Sequence, residues 1–185
     1  MSTGRGSHVM WWFVRLAGSL AVAAIALLFC GYHFGASDQA QYLVHALSLA
    51  DPLLFVGDPY LEAFGSLYSV FWIPFALVVR SPWCSMVVLL VALGVAAANV
   101  CYITKIAGAV LRAPRAQIMG AASLGVLAFI VPKEQNWFGL VGIADVELTA
   151  TYAVTPIVLL SIWCWIRGRP LCCGLAAIIA TPIHG

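Results

Sequence analysis

Residues 83–104 read WCSMVVLLVALGVAAANVCYIT, an uncharged run long enough to cross the ~30 Å hydrocarbon core of a bilayer as one α-helix. Four more apolar runs lie at about 11–31, 116–132, 151–166 and 170–184. Of the 185 residues, 63% are hydrophobic and 9% are charged, whereas a typical soluble domain has about 25% charged residues. So few charges cannot cover the surface of a soluble domain. The sequence therefore predicts an all-α fold, a polytopic transmembrane helical bundle.

A shorter apolar run, residues 66–80, decides the topology because every later loop changes sides if this run spans the membrane. Pro74 interrupts the run, and at 1.5 Å per residue a helix of its length reaches about 22 Å, less than the ~30 Å core. We expect a re-entrant or juxtamembrane helix here, which is acceptable at membrane depth when protein covers its ends. The alternative is a sixth span.

The charged residues support the topology in which 66–80 does not span. All seven acidic residues then fall in the outer segments 32–65 and 133–150, and the basic residues on the outer side are Arg80, at the end of the 66–80 run, and Lys133. The basic residues that follow the runs 83–104 and 151–166 then face the cytoplasm: Lys105, Arg112, Arg115, Arg167 and Arg169. This distribution agrees with the positive-inside rule.

The sequence shows a single transmembrane domain over residues 1–185, with no soluble domain, linker or repeat. Arg5 and Arg15 lie at the N-terminal side of the first run and predict a cytoplasmic N-terminus. Because Ile183-His184-Gly185 closes directly on an apolar run, we expect the chain to be the N-terminal part of a longer protein. The net charge of +2 does not indicate a nucleic acid partner.

The first outer segment contains the sharpest functional signal. Its sequence GASDQAQYLVHALSLA predicts a helix from about Asp38 to Ala50, with Ser37 as the N-cap. At about 100° per residue, Asp38, Tyr42 and His45 share one face of this helix. The opposite face is apolar, so we expect an amphipathic juxtamembrane helix in the first outer loop.

Two interpretations of this amphipathic helix stay open. In the first, the helix is an interfacial anchor with its apolar side towards lipid and its polar side in water. In the second, Asp38 points into a cavity at the membrane surface and acts as a catalytic base, while Tyr42 and His45 bind the substrate. A carboxylate at a water–lipid boundary can accept a proton from a sugar hydroxyl.

The second outer segment, KEQNWFGLVGIADVELTA, contains Asp145 and Glu147. In extended backbone, residues two apart share a face, and a pair of carboxylates on one face suits a divalent cation or a cationic group. The alternative is a solvated loop with two ordinary acids. His184, at the outer end of the last run, faces the same compartment, where it either binds substrate or has a structural role.

Three stretches follow one another in a characteristic order: GASDQAQYLVHAL, then DPLLFVGDPYLEAF, then WFGLVGIADVELTATYAVTPIVLLSIWCWIRGRPLCCGLAAIIATPIHG. Together they resemble the N-terminal half of bacterial polytopic membrane proteins of the GT-C glycosyltransferase superfamily. Such relatives often have an acid in the first outer loop, an acid after WFG, a basic turn and a His-Pro pair. Two positions differ here, because Gly185 replaces that Pro and Thr151-Tyr152 stands where an Arg is common.

The resemblance implies roles for individual residues. Asp38 matches the first-loop acid, which is usually the catalytic base or a metal-coordinating residue in this superfamily. Glu147 matches the acid after WFG, Arg167 and Arg169 match the inner basic turn, and His184 matches the His of the His-Pro pair. The implied activity is an inverting transfer of a sugar from a polyprenyl-phosphate donor at the outer face of the bacterial inner membrane. A divalent cation is the candidate cofactor.

Two other functional classes stay open. Transporters usually place charged groups at the bilayer midplane, and the centres of the apolar runs nearly lack such groups. A non-catalytic membrane subunit would account for the short chain and the few basic residues on its outer side. The sequence therefore favours a membrane-bound sugar transferase, with a non-catalytic subunit or a transporter component as the alternative.

Overall fold

The computed structural model describes residues 4–30, 32, 34–35, 37–64, 70–111 and 148–184. Within these residues the chain is helical and has no strand, which confirms the all-α prediction. The predicted span 116–132 and the candidate residues Asp145 and Glu147 lie outside the described residues.

Apart from one short helix at Pro59–Phe64, which was not predicted, the α-helices of the described residues coincide with apolar runs or with the predicted amphipathic helix. Their bounds are α1 Gly4–Cys30, α2 Ser37–Ala50, α3 Pro59–Phe64, α4 Cys84–Leu111, α5 Ala150–Ile166 and α6 Pro170–His184. One helical stretch of the described chain, Cys84–Val110, is long and apolar enough to cross a bilayer by length and composition. The apolar stretches Phe13–Ile25, Ala150–Ile166 and Pro170–Ile183 are shorter.

The segment 66–80 is described from residue 70 onwards, and there it differs from an ordinary apolar helix. Val70–Leu77 forms a 3-10 helix that contains Pro74, and Trp72 and Phe75 are buried. At about 2.0 Å per residue, a 3-10 helix of this length reaches roughly 16 Å, well short of a bilayer core. This 3-10 helix packs against α2 and also touches α5 and α6.

Helix α4 lies between α1 and α5, and α5 packs in turn against α6. A column of small and β-branched residues on α4 is buried at every fourth position: Val88, Ala92, Ala96 and Val100. Small side chains let neighbouring helix backbones approach closely, which is the usual packing of helices in membranes. Ala23 of α1, which is fully buried, belongs to the same core cluster.

The C-terminal parts of helices α4 and α5 lie next to each other. The Lys105 ammonium of α4 lies 5.3 Å from the ring centre of Trp163 in α5. Arg167 follows the last turn of α5 and lies 5.7 Å from the same ring. We call this part of the bundle, with Lys105, Arg167 and Arg169, the basic end.

The beginnings of α2, α4 and α5 meet at the other end of the bundle. Gln39 in the first turns of α2 contacts Leu148, which directly precedes α5. Leu43 of α2 and Cys84, the first residue of α4, line one cavity. We call this end, formed by the described part of residues 32–64 with the first turns of α4 and α5, the acidic end.

A tight turn reverses the chain between α5 and α6. Gly168 has a φ of 66°, a left-handed conformation that glycine adopts without steric cost. Its N–H donates to the Trp165 carbonyl at 2.9 Å, and the Arg169 N–H donates to the Cys164 carbonyl at 2.9 Å. These two bonds form a Schellman motif, which satisfies carbonyls that the end of α5 would otherwise leave open.

Helix α6 therefore runs back along α5 towards the acidic end. The Ser161 hydroxyl of α5 donates to the Cys173 carbonyl of α6 at 3.1 Å, which fixes the pairing of the two helices. The two helices run in opposite directions, and Ala150 is as far before Ser161 in the chain as His184 is after Cys173. The backbone of His184 therefore lies level with the start of α5 near Ala150. The last residue of α6 thus lies at the acidic end.

Candidate functional site

The acidic end is organised around Gln39, a polar residue of α2 with no exposed surface. Its Oε1 accepts a hydrogen bond from the Gly35 N–H at 2.6 Å. Its Nε2 donates to the Tyr32 hydroxyl at 3.2 Å and, more weakly, to the Leu148 carbonyl at 3.5 Å. One side chain thus joins the segment after α1, the start of α2 and the segment before α5.

Local chain geometry explains why these segments can meet. Gly35 has a φ of 72°, so the turn that aims its N–H at Gln39 uses a conformation that favours glycine. At the start of α5, Thr149 is the N-cap, and its hydroxyl accepts from the Tyr152 N–H at 3.1 Å. The N-termini of α2 and α5 therefore both lie near the Gln39 hydrogen bonds.

The start of α2 and Leu148, the first described residue after the second outer segment's acids, are in contact at this point. Asp38 lies in the first turn of α2, next to Gln39 in the chain. Glu147 lies outside the described residues, but it directly precedes Leu148, whose carbonyl Gln39 contacts. Each partner of this contact therefore directly follows, in the sequence, one of the acids that the sequence analysis singles out.

Tyr42 takes part in an aromatic cluster, which consists of Tyr42, Phe71, Trp72 and Phe75. Its ring stacks on Trp72 with centroids 5.0 Å apart and an interplanar angle of 9°. Trp72 has no exposed surface and meets Phe71 edge-on at 4.9 Å and Phe75 at 4.9 Å. Tyr42, predicted as a substrate-binding residue, is therefore also a packing residue that fastens α2 to the 3-10 helix.

His45, the other predicted substrate-binding residue of α2, is half-buried. Its backbone carbonyl accepts a hydrogen bond from the Ser48 hydroxyl at 2.8 Å. Along α2 the fully buried positions are Gln39 and Ala46, and at about 100° per residue His45 points about 100° away from Ala46. His45 therefore borders the packed face of α2 and does not lie at its centre.

An apolar cavity of about 380 Å³ lies on the remaining side of α2. Its lining comprises Phe34, Leu43, Val44, Leu47, Val79, Ser81, Pro82, Cys84 and Ser85. The sequence pattern identified the apolar face of α2, and we expected this face to lie towards lipid. Periodicity shows which residues share a face, but only the fold shows that part of this face lines a cavity with the start of α4.

Two other acids of the first outer segment have structural partners. Asp51 Oδ1 accepts from the Leu53 N–H at 3.2 Å, and Asp51 Oδ2 forms an ion pair with Arg80. Asp58 Oδ1 accepts from the Leu61 N–H at 3.3 Å and so caps α3. Arg80, one of the two basic residues assigned to the outer side, is thus held by Asp51.

Burial raises the pKa of Tyr32 above its ordinary value, and the hydrogen bond with Gln39 opposes this effect in part. The phenol therefore stays protonated at neutral pH and keeps its hydrogen bond with the Gln39 amide. Among the described residues, no three His, Cys, Asp or Glu side chains group closely enough to hold a metal ion. The cation site expected at Asp145 and Glu147 falls in the undescribed range 112–147.

Replacing Gln39 with methionine is expected to lower the free energy of unfolding by about 1–3 kcal/mol. The thioether fills a similar volume, but the Gly35 N–H loses its buried acceptor and Leu148 loses a donor. Denaturant titration of the purified protein in mixed micelles measures the change. The matched control is Gln41→Met, because Gln41 is exposed on the same helix and should change stability by less than about 0.5 kcal/mol. Equal losses in both variants would contradict the role of Gln39.

The candidate site thus combines the first turn of α2, the segment that enters α5, the last residue of α6 and an apolar cavity beside α2. Its central contact joins residues that are 109 positions apart in the chain. Comparisons with family models, with curated proteins and with solved structures find no match to this chain.

Proposed function

We propose that this chain is a membrane-embedded glycosyltransferase that takes a sugar from a polyprenyl-phosphate donor at the outer face of a membrane. The observation that supports this most directly is the contact between Gln39 and the Leu148 carbonyl. A transferase of this kind needs its base and its substrate-binding groups on one side of the bilayer. Asp38 adjoins Gln39, and Glu147 adjoins Leu148, so the contact favours a shared site.

The exterior of the structure supports a membrane setting. Only 33% of the most apolar stretch of α4 is buried, whereas a core helix of a soluble protein is mostly buried. On α6, Leu171 is 83% exposed and Ile178 is 69% exposed. Lipid chains can cover such faces, whereas water cannot do so without a large cost. We propose that α1 and α4 cross the membrane and that the shorter helices α5 and α6 lie within it beside α4, with the amphipathic α2 at the outer surface.

The proposed reaction begins at Asp38. Its carboxylate takes the proton of an acceptor hydroxyl, the hydroxyl oxygen attacks the anomeric carbon, and the bond from that carbon to the phosphate oxygen breaks. The products are the glycosylated acceptor, with inverted anomeric configuration, and polyprenyl phosphate. Glu147, His45 and His184 are proposed to bind the substrate, and a divalent cation at Asp145 and Glu147 would offset the charge of the leaving phosphate.

Two features of the acidic end suit a lipid-linked phosphate. The N-termini of α2 and α5 both lie there, and the positive ends of helix dipoles favour an anion. The apolar cavity beside α2 offers space for the part of an isoprenoid chain next to the phosphate. Arg80 already pairs with Asp51, so the helix termini and a bound cation are the sources of positive charge that the proposal uses.

A transfer assay tests this function directly. Membranes that contain the full-length protein receive polyprenyl-phosphate donors with radiolabelled sugars, and the labelled product is compared with that of membranes without the protein. We expect a labelled product that depends on the protein and decreases when a chelator removes divalent cations. If no donor gives a product, a non-catalytic membrane subunit becomes the better explanation.

The proposed topology predicts opposite labelling of the two ends of the bundle. Val56 at the acidic end is 77% exposed, and Arg169 at the basic end is also exposed. In a variant without native cysteines, Val56→Cys should react with a membrane-impermeant maleimide in intact cells. Arg169→Cys should react only after the membrane is opened. Equal labelling of both positions in intact cells would contradict the topology.

A further inference from the structure

The basic end places two positive charges against one indole. Lys105 Nζ lies 5.3 Å from the Trp163 ring centre, and Arg167 Cζ lies 5.7 Å from it. Lys105 Nζ is also 4.8 Å from the ring centre of Tyr102. These distances are within the range of cation–π attraction, which is strongest for tryptophan. The two aromatic rings therefore hold both basic groups in one place, although like charges repel each other.

Among the described residues, the basic end contains basic side chains and no acid. In the part of the chain that the structure describes, every Asp and Glu lies between Asp38 and Glu62, within or after α2. Arg169 follows Arg167 across the Gly168 turn and is exposed. An anion at this end would therefore be attracted by three basic groups and would reduce the repulsion between Lys105 and Arg167.

An apolar surface continues from the basic groups along α6. Leu171, Leu175 and Ile178 are 83%, 60% and 69% exposed, and their spacing of four and three residues places them on one helix face. Trp165 at the end of α5 is 70% exposed, and tryptophan is enriched where membrane meets water. A cationic cluster at one end of an apolar helix face matches a molecule with an anionic head and hydrocarbon chains.

We propose that Lys105, Arg167 and Arg169 bind the phosphate of an anionic phospholipid whose acyl chains lie along α6. A guanidinium can bind two phosphate oxygens at once, and an ammonium adds a point charge. The site is at the opposite end of the bundle from Asp38 and needs no sugar donor. The proposal therefore stands or fails independently of the proposed sugar transfer.

Native mass spectrometry of the full-length protein in detergent micelles tests the site. The probes are dioctanoyl phosphatidylglycerol, which is anionic, and dioctanoyl phosphatidylcholine, which has the same chains and no net charge. We expect tighter binding of phosphatidylglycerol, and about 30-fold weaker binding of that lipid in the double variant Lys105→Gln/Arg167→Gln. Arg167→Gln alone changes an exposed residue and should weaken phosphatidylglycerol binding about 5-fold. This single variant replaces the double variant in the test if the double variant does not fold.

The matched control is Arg80→Gln, which removes a basic residue from the acidic end and should leave lipid binding unchanged. Equal affinity for the two lipids, or an equal loss in the Arg80 variant, would overturn the proposal. A competition experiment with inorganic phosphate distinguishes a lipid site from a site for a free anion. If phosphate displaces phosphatidylglycerol at the same concentration as the lipid itself, the site binds a free anion and the assignment to a lipid is wrong.

Discussion

Replacing Asp38 with asparagine is expected to lower sugar transfer by about 10²–10⁴-fold while the protein still folds and inserts into the membrane. Asparagine has nearly the shape of aspartate but cannot accept the proton of the acceptor hydroxyl at neutral pH. Position 38 lies in the first turn of α2, next to Gln39, whose side chain forms the hydrogen bonds that fix this turn. The substitution should therefore remove the base without disturbing the site around it.

The matched control for this variant is Glu62→Gln, which makes the same change from acid to amide in the same outer segment. Glu62 is exposed and lies in α3, outside the helix that contains Asp38, so the control should keep wild-type transfer. Initial rates in the transfer assay give the comparison, and the unfolding midpoint of each variant shows whether the fold is retained. Wild-type rates with Asp38→Asn would remove Asp38 from the mechanism, whereas equal losses in both variants would indicate an effect of charge alone.

Local signals in the sequence predicted much of the fold. Ser37 and the Asp51-Pro52 pair set the two ends of α2 within one residue, because capping and the backbone limits before proline depend on neighbouring residues only. The apolar runs likewise predicted α1, α4, α5 and α6. Such signals do not depend on which other part of the chain packs against the helix.

The features that the sequence did not predict depend on distant contacts. Gln39 looked like one more polar residue of an amphipathic helix, since its partner Leu148 is 109 positions away. Tyr42 shares a helix face with Asp38 by periodicity, yet it packs against Trp72 because the 3-10 helix covers that side of α2. The apolar composition of 66–80 predicted a re-entrant or juxtamembrane helix. It could not show that Trp72 and Phe75 would be buried while Leu77 stays 88% exposed.

Trp72→Ala is expected to lower the free energy of unfolding by about 3–5 kcal/mol, the usual cost when a buried aromatic ring becomes a cavity. The indole has no exposed surface and contacts three aromatic rings, so four residues lose packing at once. Its Nε1 makes no hydrogen bond within the described residues, so the loss comes from packing alone. Denaturant titration in mixed micelles measures the difference.

Trp83→Ala is the control for this prediction, because Trp83 is 63% exposed and lies just before α4. We expect Trp83→Ala to lower the free energy of unfolding by less than about 1 kcal/mol. A second comparison separates packing from the polar groups of the site: Tyr42→Phe keeps the ring that stacks on Trp72 and should retain most of the stability. If Trp72→Ala and Trp83→Ala lower the free energy of unfolding by the same amount, the aromatic cluster does not hold α2 against the bundle. The position of Asp38 would then depend on the hydrogen bonds of Gln39, and Gln39→Met would become the more damaging of the two substitutions.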